Sequence, residues 1–510
     1  MRIARTKNTI KGSFWGIVYR LTCTIIPFII RTIIIKQFGE EYVGLNSLFT
    51  SILQVLSLSE LGLSSAIVFS MYKPIANDDY DSICCLLNFY RKAYLIIGSI
   101  ILSIGLLCLP FLPYLINGDV PEGINVYFLY IIFLSNTCIS YFFFGYKEAV
   151  LTAYQRNDIL STVRLIVIVF QYAIQIIVLL LIKNFYLYVS IMVIFTFFRG
   201  LTNSLIVNKK YPHIKCCGKV PDSEKTIIKK NMAGVAVGKV GVVARGACDN
   251  IIISAFLSLT ALAIFDNYYY ILSAVIAFLT VIENSLIAGV GNSIVIDNKE
   301  KQFRDFKKIS LAFIILSSVC VSCLACLYQP FMMLWVGDSL MLVDYEMILF
   351  CLYFYVSTMS TIGSVYLTAG GLWWKLKMKS IIEVVFNLSM NILLVYLLGI
   401  VGILIATICS LFFFSFVWSG AVLFKNVFPD HKLGKYILTH LLFLCLSASL
   451  AFLSSFICNF IEADNSILLL AIRLLIAVAI PLLVLPVFLF KTEEFKSIIG
   501  RFKKPFIKKV

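Results

Sequence analysis

Trp15–Ile35 reads WGIVYRLTCTIIPFIIRTIII, a run apolar and long enough to cross a bilayer that nevertheless carries Arg20 and Arg31. A cation near the centre of a membrane helix costs about 2.5–3.5 kcal/mol on insertion scales. The two arginines are eleven residues apart, almost three helical turns. They project to nearly one face, roughly 16 Å apart along the axis. That face belongs against a polar interior rather than lipid, with Pro27 between the two cations as a candidate kink.

Similar runs recur from end to end. The 510 residues are 60% hydrophobic and 14% charged, too apolar for a set of soluble domains. The expected fold is an all-α polytopic membrane protein of fourteen transmembrane helices. They run approximately over 13–37, 44–72, 89–116, 124–146, 159–182, 185–207, 231–257, 261–296, 309–335, 341–370, 380–398, 400–424, 436–458 and 466–490. The first apolar run is too long for a signal-peptide core and no small-residue cleavage site follows it. With the N-terminus inside, the inner loops, tails and adjoining span ends hold 35 of the 43 Lys and Arg, whereas outer segments hold Lys36 and Lys183. This positive-inside pattern places both termini in the cytoplasm and accounts for the net charge of +16 without nucleic acid. Attraction to anionic membrane lipids follows from the same distribution.

The chain also repeats itself. Leu109–Asp119, LPFLPYLINGD, parallels Tyr328–Asp338, YQPFMMLWVGD. Leu151-Thr152-Ala153 returns as Leu367-Thr368-Ala369, and Pro212 as Pro429. The echoes keep their order and a nearly constant offset, which implies a duplication of six helices. An even number per copy keeps the two parallel. The expected organisation is an N-terminal six-helix bundle (1–207), a basic cytoplasmic linker (208–230), a second bundle (231–424), two appended helices (425–490) and a basic tail (491–510).

The duplication pairs the charges. Arg20 corresponds to Lys239, with Arg245 six residues beyond, and Glu60 corresponds to Glu283. Arg20, Arg31, Lys239 and Arg245 are candidates to bind the phosphate head of an anionic substrate, because guanidinium groups hold phosphate with paired, directional hydrogen bonds. Glu60, Asp249, Asp266 and Glu283 are candidate ion-coupling groups or counter-ions. For Glu60 both roles stand open, and Arg245 pairing with Asp249 one turn on is the structural alternative. Arg199 reads as snorkelling to the inner surface. Cys320, Cys323 and Cys326 form a CxxCxxC inside an apolar helix and read as packing residues, so no metal site is expected. No P-loop appears, and neither a cofactor nor enzymatic activity is expected.

The stretch KGSFWGIVYRLTCTIIPFIIRTIIIKQFGEEYVGLNSLFTSILQVLSLSELGLSSAIV, above all FGEEYVGLNSLF followed by SELGLSSA, resembles the polysaccharide (O-antigen or capsule) repeat-unit flippases of the multidrug/oligosaccharidyl-lipid/polysaccharide (MOP) exporter superfamily. The resemblance implies two bundles in a V that open alternately to either side of the bacterial cytoplasmic membrane. It implies an undecaprenyl-pyrophosphate-linked oligosaccharide as substrate, H+ or Na+ as coupling ion, and the polymerase and export machinery of a surface polysaccharide as partners. A cation-coupled multidrug-type antiporter of the same superfamily is the nearest rival and would favour a more acidic or aromatic lumen. A glycan polymerase or ligase would present a large external loop, and the external loops here are short.

Overall fold

The computed structural model describes residues 5–60, 62–118 and 120–503. Among them there is no strand. The helices are α1 (Arg5–Phe38), α2 (Glu40–Leu56), α3 (Leu63–Ala76), α4 (Tyr80–Leu107), α5 (Val126–Phe142), α6 (Glu148–Ala153), α7 (Asn157–Ile177), α8 (Phe185–Lys210), α9 (Asp222–Phe256) and α10 (Leu259–Ile296). They continue with α11 (Lys299–Val336), α12 (Asp344–Met359), α13 (Thr361–Ala369), α14 (Lys377–Leu398), α15 (Ile400–Ser410), α16 (Ser419–Asn426), α17 (Leu433–Cys458), α18 (Ser466–Leu489) and α19 (Glu493–Lys503). Short polar residues start several of them. Asp79 accepts a hydrogen bond from Ser82 N, Asn125 from Phe128 N, Asn184 from Leu187 N and Asn298 from Lys301 N, each capping one orphan donor.

Helix covers each of the fourteen expected positions, and several of those expected spans are broken into pieces. Among the described residues, eleven helices are long and apolar enough to cross a membrane, or twelve if the bent pair Val126–Phe142 and Gly145–Ala153 is one span. The two remaining positions both carry charge within an apolar stretch. One is α2–α3, interrupted at a 3-10 turn, Ser57–Glu60, with Gly62 at φ 94°. The other is α9, whose apolar stretch includes Lys239, Arg245 and Asp249.

Two compact units divide the chain, Met1–Ala263 and Ile264–Val510. In the first, α1 lies along α7, α5 packs on α4 and α8, and α9 packs on α2 and α3. Asn250 on α9 donates to Ser51 on α2 at 3.0 Å. In the second, α11 is central and is covered by α12, α17, α18 and α19, while α14 pairs with α15. The appended α17 and α18 are held by two apolar clusters. One gathers Leu311, Leu450, Leu485, Leu489 and Phe495, the other Cys326, Cys458 and Ala477. All fifteen cysteines are free thiols, and Cys326 is a packing residue as its setting led one to expect.

Structural features recur with the sequence echoes. The fourth expected span breaks after Phe142, where Phe144 is left-handed, and the tenth breaks at Ser360. Phe144 and Ser360 are separated by the same spacing as Leu151 and Leu367. Buried Gln171 donates to Gln175 at 3.4 Å, and buried Asn391 donates to Asn387 at 3.4 Å. That spacing also relates Gln171 to Asn387 and Gln175 to Asn391. Each unit thus contains the same amide pair one turn apart on the helix that follows the break.

The approach of α2 to the start of α10 depends on one missing side chain. A Cβ added to Gly44 on α2 would stand 2.3 Å from the Leu259 carbonyl oxygen, a rigid backbone atom. Gly44→Ala should therefore lower the thermal midpoint of the purified protein, by an overpacking penalty of about 1–3 kcal/mol. Gly289→Ala, where a Cβ meets nothing within 4 Å, should leave the midpoint unchanged or raise it.

Candidate functional site

The unit Met1–Ala263 contains Arg20, Arg31, Glu60, Arg245 and Asp249. On α1, Arg20 is exposed and Arg31 half-buried, within electrostatic range of buried Tyr188 on α8. On α9, Arg245 and Asp249 are both buried, 8% and 3% exposed, one helical turn apart. The side chain of Lys239 lies outside the described residues. Asp266 and Glu283 are half-buried on α10 within the other unit, seventeen residues and roughly 25 Å apart along that helix. Asp266 adjoins Asn267, which is fully buried.

Glu60 has the most defined surroundings. It ends the 3-10 turn that breaks the second span, against which α9 packs. Tyr94 on α4 donates to one carboxyl oxygen at 2.5 Å, and Tyr141 on α5 donates to the other at 2.6 Å. These lengths match O–H···O⁻ hydrogen bonds of about 2.5–2.7 Å. The rings of Tyr90, Tyr94 and Tyr141 are in contact in sequence, the first pair edge-to-face and the second tilted, with centroids 4.4 and 5.3 Å apart. Among the described residues Glu60 makes no ion pair, so its partners are neutral hydroxyl donors rather than a guanidinium. Of the two roles open to Glu60, the counter-ion role gains no support from this geometry.

Arg199 does not stand alone. Its Nε is 3.9 Å from Glu148 Oε1, and Glu148 also accepts from Arg164 and Asn203, each at 2.9 Å. This cluster ties α6, α7 and α8 together.

One polar constellation escapes a reading of the sequence alone. Lys379, Glu383, Asn387 and Asn391 recur every fourth residue on α14 and form a ladder against α15 and the π-helical turns after it, Leu411–Trp418. Lys379 Nζ is 2.7 Å from Glu383 Oε2, and Ser415 donates to the other Glu383 oxygen at 2.8 Å. Asn387 donates to Thr407 at 3.2 Å. Glu383, Asn387 and Asn391 are at most 3% exposed. The i, i+4 spacing is legible. A span drawn to begin at Ser380 hides it, because Lys379 then falls in a loop. Among the described residues no group of three or more His, Cys, Asp and Glu is arranged to hold a metal ion.

No family model and no curated protein matches this sequence. Solved structures do match in fold. The inward-facing conformation of a multidrug resistance MATE family transporter of the MOP superfamily aligns with a TM-score of 0.62 at 14% identity, over 80% of this chain and 99% of that one. The lipid II flippase MurJ, in an inward closed conformation, aligns with a TM-score of 0.62 at 15% identity, over 96% of this chain and 100% of its own. A MOP-superfamily transporter from Pyrococcus furiosus, described as having a binding pocket of reverse polarity, aligns at 0.54 with 12% identity, over 82% and 95%. At these identities the likeness is one of fold, and the chain has the fold of the multi-pass membrane transporters and flippases of the MOP superfamily.

Proposed function

We propose that this protein is a flippase that carries undecaprenyl-(pyro)phosphate-linked oligosaccharide repeat units across the bacterial cytoplasmic membrane by alternating access, supplying a surface polysaccharide. The observation that carries the reading is the placement of Arg31 and Arg245 below the surface of one unit of a membrane-transporter fold. Keeping cations there is costly, and an anionic ligand in a wet cleft offsets the cost. Arg20, Arg31, Lys239 and Arg245 bind the phosphate head in this reading, while the lipid tail stays in the bilayer. The arrangement is fourteen spans in two six-helix bundles plus two appended helices, with both termini in the cytoplasm. A match over 96% of the chain to a lipid flippase, against 80% for a multidrug transporter, supports the whole-chain arrangement. The polymerase and export machinery of the same pathway are the partners downstream.

Glu60 is the proposed coupling group for H+ or Na+, with Asp249, Asp266 and Glu283 as counter-ions or auxiliary sites. Its ionised form accepts two tyrosine hydrogen bonds at once, from α4 and from α5. Protonation would turn one acceptor oxygen into a donor, so one tyrosine link must reorient. Charge on Glu60 is thereby tied to how α4 and α5 sit against the broken span. The same acid on a broken helix is what favours the second reading, a cation-coupled multidrug-type antiporter.

Arg31→Ala and Arg245→Ala should abolish polymer display while the folded protein remains in the membrane. Each removes a charge-assisted hydrogen bond of about 1.5–3 kcal/mol, so transport should fall roughly ten- to hundredfold. Lys replacements should restore it in part, keeping charge without the bidentate fork. A double variant, Arg245→Ala with Asp249→Asn, that flips lipid-linked sugars at the normal rate would reduce Arg245 to a counter-ion. Glu60→Gln should abolish gradient dependence in proteoliposomes without lowering protein abundance. Retained dependence with less protein would assign Glu60 a structural role.

A further inference from the structure

The second unit contains a cavity of about 470 Å³ that the transport reading does not use. It lies between α11, the turn before α17, α17 itself and the end of α18, and its volume is within the range of small-ligand sites. Its wall changes character along α17. Lys307, Lys432 and Lys435 stand at one end, while Leu311, Ile314 and Phe443 line the other. From Lys432 to Phe443 is eleven residues of helix, roughly 16 Å, about half the thickness of a bilayer's hydrocarbon core.

The basic end has charge to spare. Lys307 is engaged, its Nζ 2.6 Å from Glu494 Oε1 on α19. Burial pushes the Glu494 carboxyl up, but the hydrogen bond from Lys307, a backbone hydrogen bond and the charges of Lys307 and Lys308 together outweigh it and hold the group below the ordinary carboxylate range. Lys432 and Lys435 are exposed and make no ion pair among the described residues. They stand at the start of α17, where the helix dipole adds positive potential. The floor is preformed by aromatic packing. Phe306 meets Tyr436 with centroids 5.6 Å apart, and Tyr436 meets buried His440 at 4.2 Å.

A free anion would answer the lysines and leave the apolar half empty. A neutral chain would do the reverse. An amphiphile with an anionic head uses both halves, and a basic pocket between membrane helices is suited to one. We propose that this cavity binds an anionic phospholipid of the surrounding bilayer, with its phosphodiester on Lys432 and Lys435 and an acyl chain along Leu311, Ile314 and Phe443. Bound there, the lipid bridges α11 to α17 and to the end of α18, the helices that Leu311, Leu450, Leu485 and Leu489 already join. Every residue involved belongs to the second unit, whereas Arg20, Arg31 and Arg245 belong to the first.

The test is thermal unfolding of the full-length protein in neutral detergent, titrated with phosphatidylglycerol, phosphatidylcholine or inorganic phosphate. Phosphatidylglycerol alone should raise the midpoint, by linkage to the folded state. Lys432→Gln with Lys435→Gln should raise the lipid concentration needed by about thirtyfold, as expected for two lysines facing an anionic headgroup. Lys432→Arg with Lys435→Arg should preserve the response. An equal shift from phosphatidylcholine or from phosphate in the unaltered protein, or an unchanged phosphatidylglycerol response in the glutamine pair, would overturn the assignment.

Discussion

Lipid offers a charge nothing to bind, and this constraint organises the whole molecule. Wherever an ionised side chain stands inside an apolar stretch, the chain must surround it with protein donors, acceptors or water. The second expected span gives up its continuity at Glu60, and two tyrosines from neighbouring helices converge on the carboxylate. α14 gives up one face to a buried ladder that begins with the Lys379–Glu383 pair. α9 keeps Arg245 and Asp249 one turn apart in the interior of its unit.

The two units solve this problem in related ways. Both place a pair of buried amides one turn apart on the helix after a broken span, at equivalent positions of the repeat. They differ where function is proposed. The Glu60 break has no counterpart in α10, which runs unbroken past Glu283. An interrupted helix frees backbone groups that can take part in binding an ion. That asymmetry is why Glu60, rather than Glu283, is the better candidate for coupling.

Helix positions were legible because long apolar runs separated by short basic loops leave few alternatives. The intramembrane charges were legible for the same reason, since each is conspicuous against its surroundings. Tertiary partners were not. Nothing local in the sequence pairs Glu60 with Tyr94 and Tyr141, which lie 34 and 81 residues away. Nor does a repeat boundary give the compact unit to which a helix belongs. α9 opens the second expected copy, yet it packs on α2 and α3, where Asn250 reaches Ser51. The α14 ladder is visible as a period of four and is lost only where the span is drawn to begin. Taken by itself Arg199 reads as snorkelling, because the acid on which it converges, Glu148, lies outside its own span.

In the proposed function, Arg31 and Arg245 serve an anionic, lipid-linked substrate. The most direct measurement is transbilayer movement of an undecaprenyl-pyrophosphate-linked oligosaccharide in liposomes containing the purified protein, with a lipophilic cationic drug assayed in parallel. The expected result is movement of the lipid-linked sugar that is lost in Arg31→Ala, and no drug transport. Gradient-driven drug transport without sugar-lipid movement would contradict it and establish the antiporter reading instead.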